Sequence, residues 1–292
     1  MDDFIATTRI PFDGSFRLKD HATILKEAPS KEELKQSVDK DRKVIADLQP
    51  LLYAEQRRSL LLIFQAMDGA GKDSLIAHLL SGVNPQGCSV HGFKSPSKEE
   101  LAHDHLWRHA KAMPERGMIG VHNRSHYEEV LVVKVHPEYL LPQGLPGIDK
   151  VTDVKPAFWD ARYEGIKAFE SHLAASGITI LKFHLHLGKE AQKERFLERI
   201  ADPDKQWKFN AGDLKERARW KDYMAAYEEA LARTSAEHAP WHVIPADDQW
   251  QSRALVVRIV RRTLETMAPK LPLPGPAELQ ALKDSEHALK AE

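Results

Sequence analysis

The residues best suited to chemistry lie together in Asp68-Gly69-Ala70-Gly71-Lys72-Asp73-Ser74. Glycines at 69 and 71 let the backbone curl until successive amide N–H groups point inward at one anion. Lys72 adds a full positive charge, and a helix that starts there adds the positive end of its dipole. Residues 60–64 are an apolar run with the length of a buried strand, and residues 75–80 are amphipathic. Strand, glycine turn, lysine and helix make up the phosphate-cradling pattern G-x-x-x-x-G-K-[ST]. Two positions depart from it. Ala66 stands at the first glycine, and Asp73 stands where a hydroxyl normally ligates magnesium, with Ser74 one residue late. A carboxylate must then share the metal, and Asp68 is the best placed. A ligand-free strand, turn and helix is the plain alternative, but a lysine at a helix mouth opposes the dipole and suits no capping role.

Three other segments carry charge that could meet a phosphate. In Phe93-Lys94-Ser-Pro96-Ser97, a lysine at a strand exit could hold a phosphate, or the segment could be an ordinary turn. In Asn123-Arg124-Ser-His-Tyr-Glu-Glu129, Asn123 occupies a strand end where ATP-using enzymes often place a magnesium-organising acid. Arg124 beside it could grip phosphate in two-pronged fashion, or pair with Glu128 or Glu129. Within residues 195–221, Arg195 and Arg199 share a helix face, as do Arg217 and Lys221, and Lys205 and Lys208 flank Trp207. These could form a mobile lid that brings positive charge over a phosphate chain. Acidic residues are nearly as numerous there, so a solvated helix pair is equally open. His103, His105 and His109 lack metal-site spacing and are expected at the surface, whereas His184 and His186 share a strand face as core or rim residues.

The elements that position these groups follow from periodicity. Ser30-Lys-Glu-Glu33 has capping-box spacing and starts a helix over 30–53. Strands are expected at 60–64, 88–93, 117–122, 178–187 and 241–246. Helices are expected at 72–80, 97–110, 160–176, 189–200, 213–232 and 249–267, with Gly177 a C-cap candidate. Residues 130–135 could be helix or strand. Residues 1–30 read as an irregular arm packed through Phe12 and Phe16. Prolines at 269, 272, 274 and 276 stop regular structure, leaving a weakly held tail. Strands alternating with helices argue an α/β, doubly wound, parallel five-stranded sheet. Ligands in such folds bind beyond the carboxyl ends of the strands, which places Asp68–Lys72, 93–97, 123–129 and 246–248 on one rim.

A formal net charge of −1 over 292 residues gives no global field for nucleic acid, so a polyanion site must be a local cluster of cations. The single cysteine, Cys88, excludes an intrachain disulfide and fits a reducing compartment. The residues after Met1 lack a secretory pattern, and no apolar run approaches the length of about 20 needed to span a bilayer. A cytoplasmic protein with no membrane partner is the expectation.

With these segments in hand, the chain resembles the polyphosphate kinase 2 family over roughly residues 30–267. The resemblance rests on 62–74, 93–107, 117–135, Arg195-Phe-Leu-Glu-Arg-Ile200, Trp207-Lys-Phe209 and Ala239-Pro-Trp-His-Val-Ile-Pro-Ala-Asp247. It implies a P-loop kinase fold like that of thymidylate kinase with a helical lid at about 195–221, and phosphoryl exchange between inorganic polyphosphate and nucleotides with Mg2+. It also implies that Asp68 and Lys72 lie at the reacting phosphate, that Arg124 neutralises transferring charge, and that the enzyme is a homo-oligomer, often a tetramer in the family. Asn123 replaces the Asp of members that act mainly on nucleoside diphosphates. In this the chain looks like the class III subgroup, which phosphorylates mono- and diphosphates. Phe93, Lys94, Pro96, Asn123 and Arg124 are the candidate nucleotide contacts. Gly69–Ser74, Arg195, Arg199, Lys205 and Lys208 are the candidate phosphate contacts, and Asp68 the metal ligand. An ATP-dependent kinase of a small acceptor and a non-catalytic nucleotide-binding module remain as rivals.

Overall fold

The computed structural model describes residues 2–292, with the side chains of Asp2, Asp3 and Lys208 outside the description. In chain order the elements are α1 (Asp2–Thr8), α2 (Lys31–Glu55), β1 (Ser59–Gln65), α3 (Lys72–Leu79), β2 (Cys88–Gly92), α4 (Lys98–Leu101), α5 (Trp107–Ala110) and β3 (Ile119–Asn123). There follow α6 (Val132–Val135), α7 (Pro156–Ala175), β4 (Ile178–His186), α8 (Lys189–Ala201), α9 (Gly212–Ala218), α10 (Trp220–Thr234), β5 (Trp241–Pro245), α11 (Gln249–Met267) and α12 (Pro276–Ala291).

The five strands form one parallel sheet in the order β2-β3-β1-β4-β5. β1 lies at its centre with all seven residues buried, as an uninterrupted apolar run requires when helices cover both faces. Leu60, Leu62 and Phe64 face a core shared with α2, α3 and α11, and Leu61 and Ile63 face the core beneath α7 and α10. The Ser30 cap forms, with Ser30 accepting from the Glu33 amide and Glu33 reaching back. α2 then buries Leu34, Val38, Ile45 and Leu52, and its buried Asp41 is clamped by Arg258 and Arg261 of α11. The register Phe64↔Asn123 brings the carboxyl ends of β1 and β3 side by side, so the turns that follow them share one rim.

The doubly wound parallel sheet is as expected, and five local expectations are corrected. The arm is not wholly irregular: α1 is helical, Arg9 bridges His242 of β5, and Phe16 is buried while Phe12 is exposed. The stretch 97–110 is two short helices, because the Asp104 carboxylate accepts from the Leu106 amide and turns the chain. His109 is consequently fully buried. It packs on Phe93 at 4.2 Å rather than facing solvent. The stretch 213–232 breaks at Arg219, whose guanidinium donates to the Val135 carbonyl, so Arg217 and Lys221 lie on different helices. Finally, residues 276–291 are helical, started by Pro276 with Glu278 accepting from the Gly275 amide, although none of that helix is buried.

Candidate active site

The turn between β1 and α3 curls through Gly69 (φ 86°) and Gly71 (φ 90°), a conformation that side chains resist. A Cβ at 69 would come within 3.1 Å of Phe196 and 3.3 Å of Gln192, so α8 packs directly on the loop. Gln192 donates to the Asp68 carbonyl at 2.8 Å and Arg195 to the Gly69 carbonyl at 2.9 Å. Arg195 also reaches the carbonyls of Ala246 and Asp247, tying the loop to the end of β5. Ala70 is buried, and Ser74 donates back to the Gly71 carbonyl at 3.0 Å.

Lys72 is buried, and its Nζ donates to the Ala66 carbonyl at 2.8 Å. Burial, and then Arg124, push its pKa down to about 8 against the pull of Asp68, Glu128 and Asp73. At neutral pH it is still largely protonated, a buried charge that an anion bound in the loop would stabilise.

Arg124 has φ 65°. For a residue with a side chain, that left-handed conformation costs about 1–2 kcal/mol and marks a site where the surroundings impose it. The Arg124 amide extends the ladder by donating to the Phe64 carbonyl, and its guanidinium meets Asp68 at 2.7 Å and Glu128 at 3.6 Å. Glu128, and after it Asp68, raises the Arg124 pKa. Burial lifts Glu128 above the usual carboxylate range, although Arg124 and Lys72 oppose it. Asn123 donates to Asp73 at 2.6 Å, so the last residue of β3 and the residue after Lys72 join two sides of one pocket. The Gln65 amide, oriented to satisfy its neighbours, donates to Glu128 at 2.8 Å and accepts from Ser125. Asp68, Lys72, Asp73, Asn123, Arg124 and Glu128 therefore form one constellation of both charges.

The lid candidates divide. Arg199 lies 5.6 Å over the Phe196 ring. Lys205 is exposed and paired with Asp202 at 2.6 Å, and the Lys208 side chain lies outside the description. Burial and the charge of Asp68 raise the Asp213 pKa, opposed by Arg199 and Arg124, so the start of α9 senses the loop's mouth. On the other side, Phe93 is held between His109 and His122 (4.9 Å), with Arg108 over its ring at 5.7 Å. The Lys94 carbonyl accepts from Arg108, while its side chain is exposed and Pro96 is half-buried. Of the histidines, His184 and His186 are buried as expected.

Gln65, Gln192 and the buried setting of Glu128 do not stand out in the sequence pattern. Glu128 lies four residues beyond Arg124 in a segment already singled out, so its role as more than a surface partner had a signal; Gln192 had none. Oxygen ligands near the loop suit a hard dication, which commonly uses one or two carboxylates together with phosphate oxygens and water. No cluster of three or more candidate ligands occurs among the described residues, so Asp68 would hold such an ion jointly with substrate.

The polyphosphate kinase 2 (PPK2) family profile matches residues 28–272. An ADP-polyphosphate phosphotransferase of Rhodopseudomonas palustris is 51% identical over 82% of this chain and 81% of its own length. An AMP/ADP-polyphosphate phosphotransferase of Meiothermus ruber is 45% identical over 79% of this chain and 80% of its own. The crystal structure of polyphosphate kinase 2 from Arthrobacter aurescens TC1 matches with a TM-score of 0.84 at 36% identity, covering 96% of this chain and 95% of that one. With a profile match across most of its length, this chain belongs to the polyphosphate kinase 2 family.

Proposed function

We propose that this protein transfers the terminal phosphoryl group of inorganic polyphosphate to AMP and ADP, forming ADP and ATP with Mg2+. The observation that carries this reading is Arg124 reaching Asp68 at 2.7 Å across the mouth of the loop that holds Lys72. Phosphoryl transfer passes through a loose anionic transition state and asks the protein for alignment and fixed charge rather than covalent chemistry. On substrate binding, Lys72 exchanges the Ala66 carbonyl for a phosphate oxygen, and Arg124 exchanges Asp68 for the phosphoryl in transit. Mg2+ held through Asp68 would supply further neutralisation of phosphate charge. The amides of Gly69–Ser74 cradle the donor end. Arg199, Lys205 and Lys208 hold the chain behind it, and Arg195 fixes the loop's shape through its carbonyl contacts. Phe93, Lys94, Pro96 and Asn123 receive the nucleotide.

The acceptor range of mono- and diphosphates is supported by Asn123 in place of Asp, which removes a negative charge beside the acceptor, and by the name of the Meiothermus relative. Residues 31–268 form the phosphotransferase domain with its lid at about 195–221, between an N-terminal arm (1–30) and a C-terminal tail (269–292). The enzyme works in the cytoplasm as a homo-oligomer, in keeping with the tetramers common in the family. Among the described residues no helix is long and apolar enough to cross a membrane. The test is ATP formation from ADP and polyphosphate with no other donor, run beside AMP, GMP and GDP. ATP from polyphosphate is the expected result. Phosphorylation that needs added ATP, or nucleotide binding without transfer, contradicts it.

A further inference from the structure

A buried ion pair lies beneath the candidate active site on the other side of its floor. Lys182, in the middle of β4, and Glu170, on α7, are both essentially inaccessible and meet at 2.6 Å. The Lys182 ammonium has three acceptors: Glu170, the Tyr127 hydroxyl at 2.9 Å and the Thr234 carbonyl at 2.8 Å. Glu170 also accepts from Tyr127 at 2.8 Å and contacts His126 Nε2 at 3.3 Å. The Tyr127 oxygen lies 2.9 Å from Thr234 Oγ1, which accepts in turn from the Trp241 indole. Such a pair is an expensive way to stabilise a core, since apolar replacements of similar volume often match or exceed it. Its reach is more telling. Both side chains it holds from the rim, His126 and Tyr127, lie between Arg124 and Glu128, whose guanidinium and carboxylate face the phosphate loop. Gln65 grips the same turn from β1 through Ser125 and Glu128. The turn is thus pinned at consecutive residues while its Arg124 stays in the left-handed conformation.

We propose that the Lys182–Glu170 pair is a positioning device: through Tyr127 and His126 it sets the 124–128 turn so that Arg124, held by Glu128, meets the reacting phosphate. The inference rests on the functional reading above, and the experiment keeps the two apart. The Lys182→Met/Glu170→Leu double variant removes both charges and the acceptor together, leaving no lone buried ion. It is expected to fold, to keep its KM for ADP and polyphosphate, and to lose about 10²-fold in kcat, the scale of a misplacement of about 1 Å. Lys182→Met/Glu170→Gln keeps an acceptor for Tyr127 and recovers most of that loss. Hydrogen exchange of residues 123–130, read without substrate, is expected to rise about 10-fold in the Leu variant while the sheet strands stay protected. Tyr127→Phe, which deletes one hydroxyl, reports the same effect in smaller measure should the double variant fail to fold. Wild-type kcat and unchanged exchange at 123–130 in the folded Leu variant, or in Tyr127→Phe if that variant does not fold, overturn the proposal. Absence of turnover in the wild type would instead defeat the functional reading, while the exchange measurement would still test whether the pair orders the turn.

Discussion

Lys72→Met separates what the phosphate loop does from what it costs the fold. Lys72 is buried, and its pKa falls from 10.5 to about 8, a change worth about 3 kcal/mol at about 1.4 kcal/mol per pH unit. Because the native value lies below the unfolded one, the native state sheds this proton first as pH rises. The penalty is therefore whole below about pH 8 and fades between there and 10.5. Methionine keeps the apolar stem and removes the charge. It also leaves the Ala66 carbonyl without its 2.8 Å donor, a loss of about 1 kcal/mol. The net expectation at pH 7 is a substrate-free variant about 2 kcal/mol more stable than wild type, a rise in Tm of about 4 °C for a chain of this size. Thermal melts at pH 7 and pH 10 check it: the advantage should shrink at the higher pH. Polyphosphate should raise the Tm of the wild type and far less that of the variant, and turnover should fall by about 10²–10³. A variant less stable than wild type at pH 7, or an advantage that ignores pH, would refute the account of Lys72 as a charge held ready at a cost.

The other predictions concern the rim. Arg124→Ala should lower kcat by about 10²–10³ with a smaller change in KM, since its charge acts on the phosphoryl in transit; steady-state kinetics with ADP check this. Asn123→Asp places a carboxylate against Asp73, now 2.6 Å from the Asn123 amide, and should lower the AMP-to-ADP rate ratio, read by product analysis on both acceptors. Gly69→Ala forces a side chain into φ 86° and within 3.1 Å of Phe196, and should cost at least about 1 kcal/mol in denaturant unfolding together with most activity. Chelation should abolish turnover and Mg2+ restore it, with Asp68→Asn raising the Mg2+ needed for half-maximal rate.

The parts of this molecule set by short-range rules were legible in the sequence. The apolar run of β1, the glycine pair with Lys72 and the Ser30 capping box act through neighbouring residues, and each forms where the pattern places it. The parts set by partners distant in the chain were not. His109 looked solvent-facing until an aspartate turn broke its helix and carried it under Phe93. Arg195, placed from its helix spacing among the phosphate contacts, directs its guanidinium at carbonyls 51 and 126 residues away. Glu128 reads as a surface acid in a charged run and becomes a buried partner of Arg124 only when β1 and β3 come side by side. A tertiary carbonyl or a cross-strand neighbour leaves no period in the sequence.

In the proposed reaction the loop after β1 grips the donor's end while Arg124 faces the group being moved. A crystal structure with polyphosphate and a non-reactive ADP analogue decides whether both do so. Expected are the polymer's terminal phosphate on the amides of residues 69–74, Lys72 Nζ drawn from the Ala66 carbonyl onto a phosphate oxygen, and Arg124 turned from Asp68 toward the nucleotide's end. Polymer bound away from that loop, with Lys72 still on the Ala66 carbonyl, would contradict it.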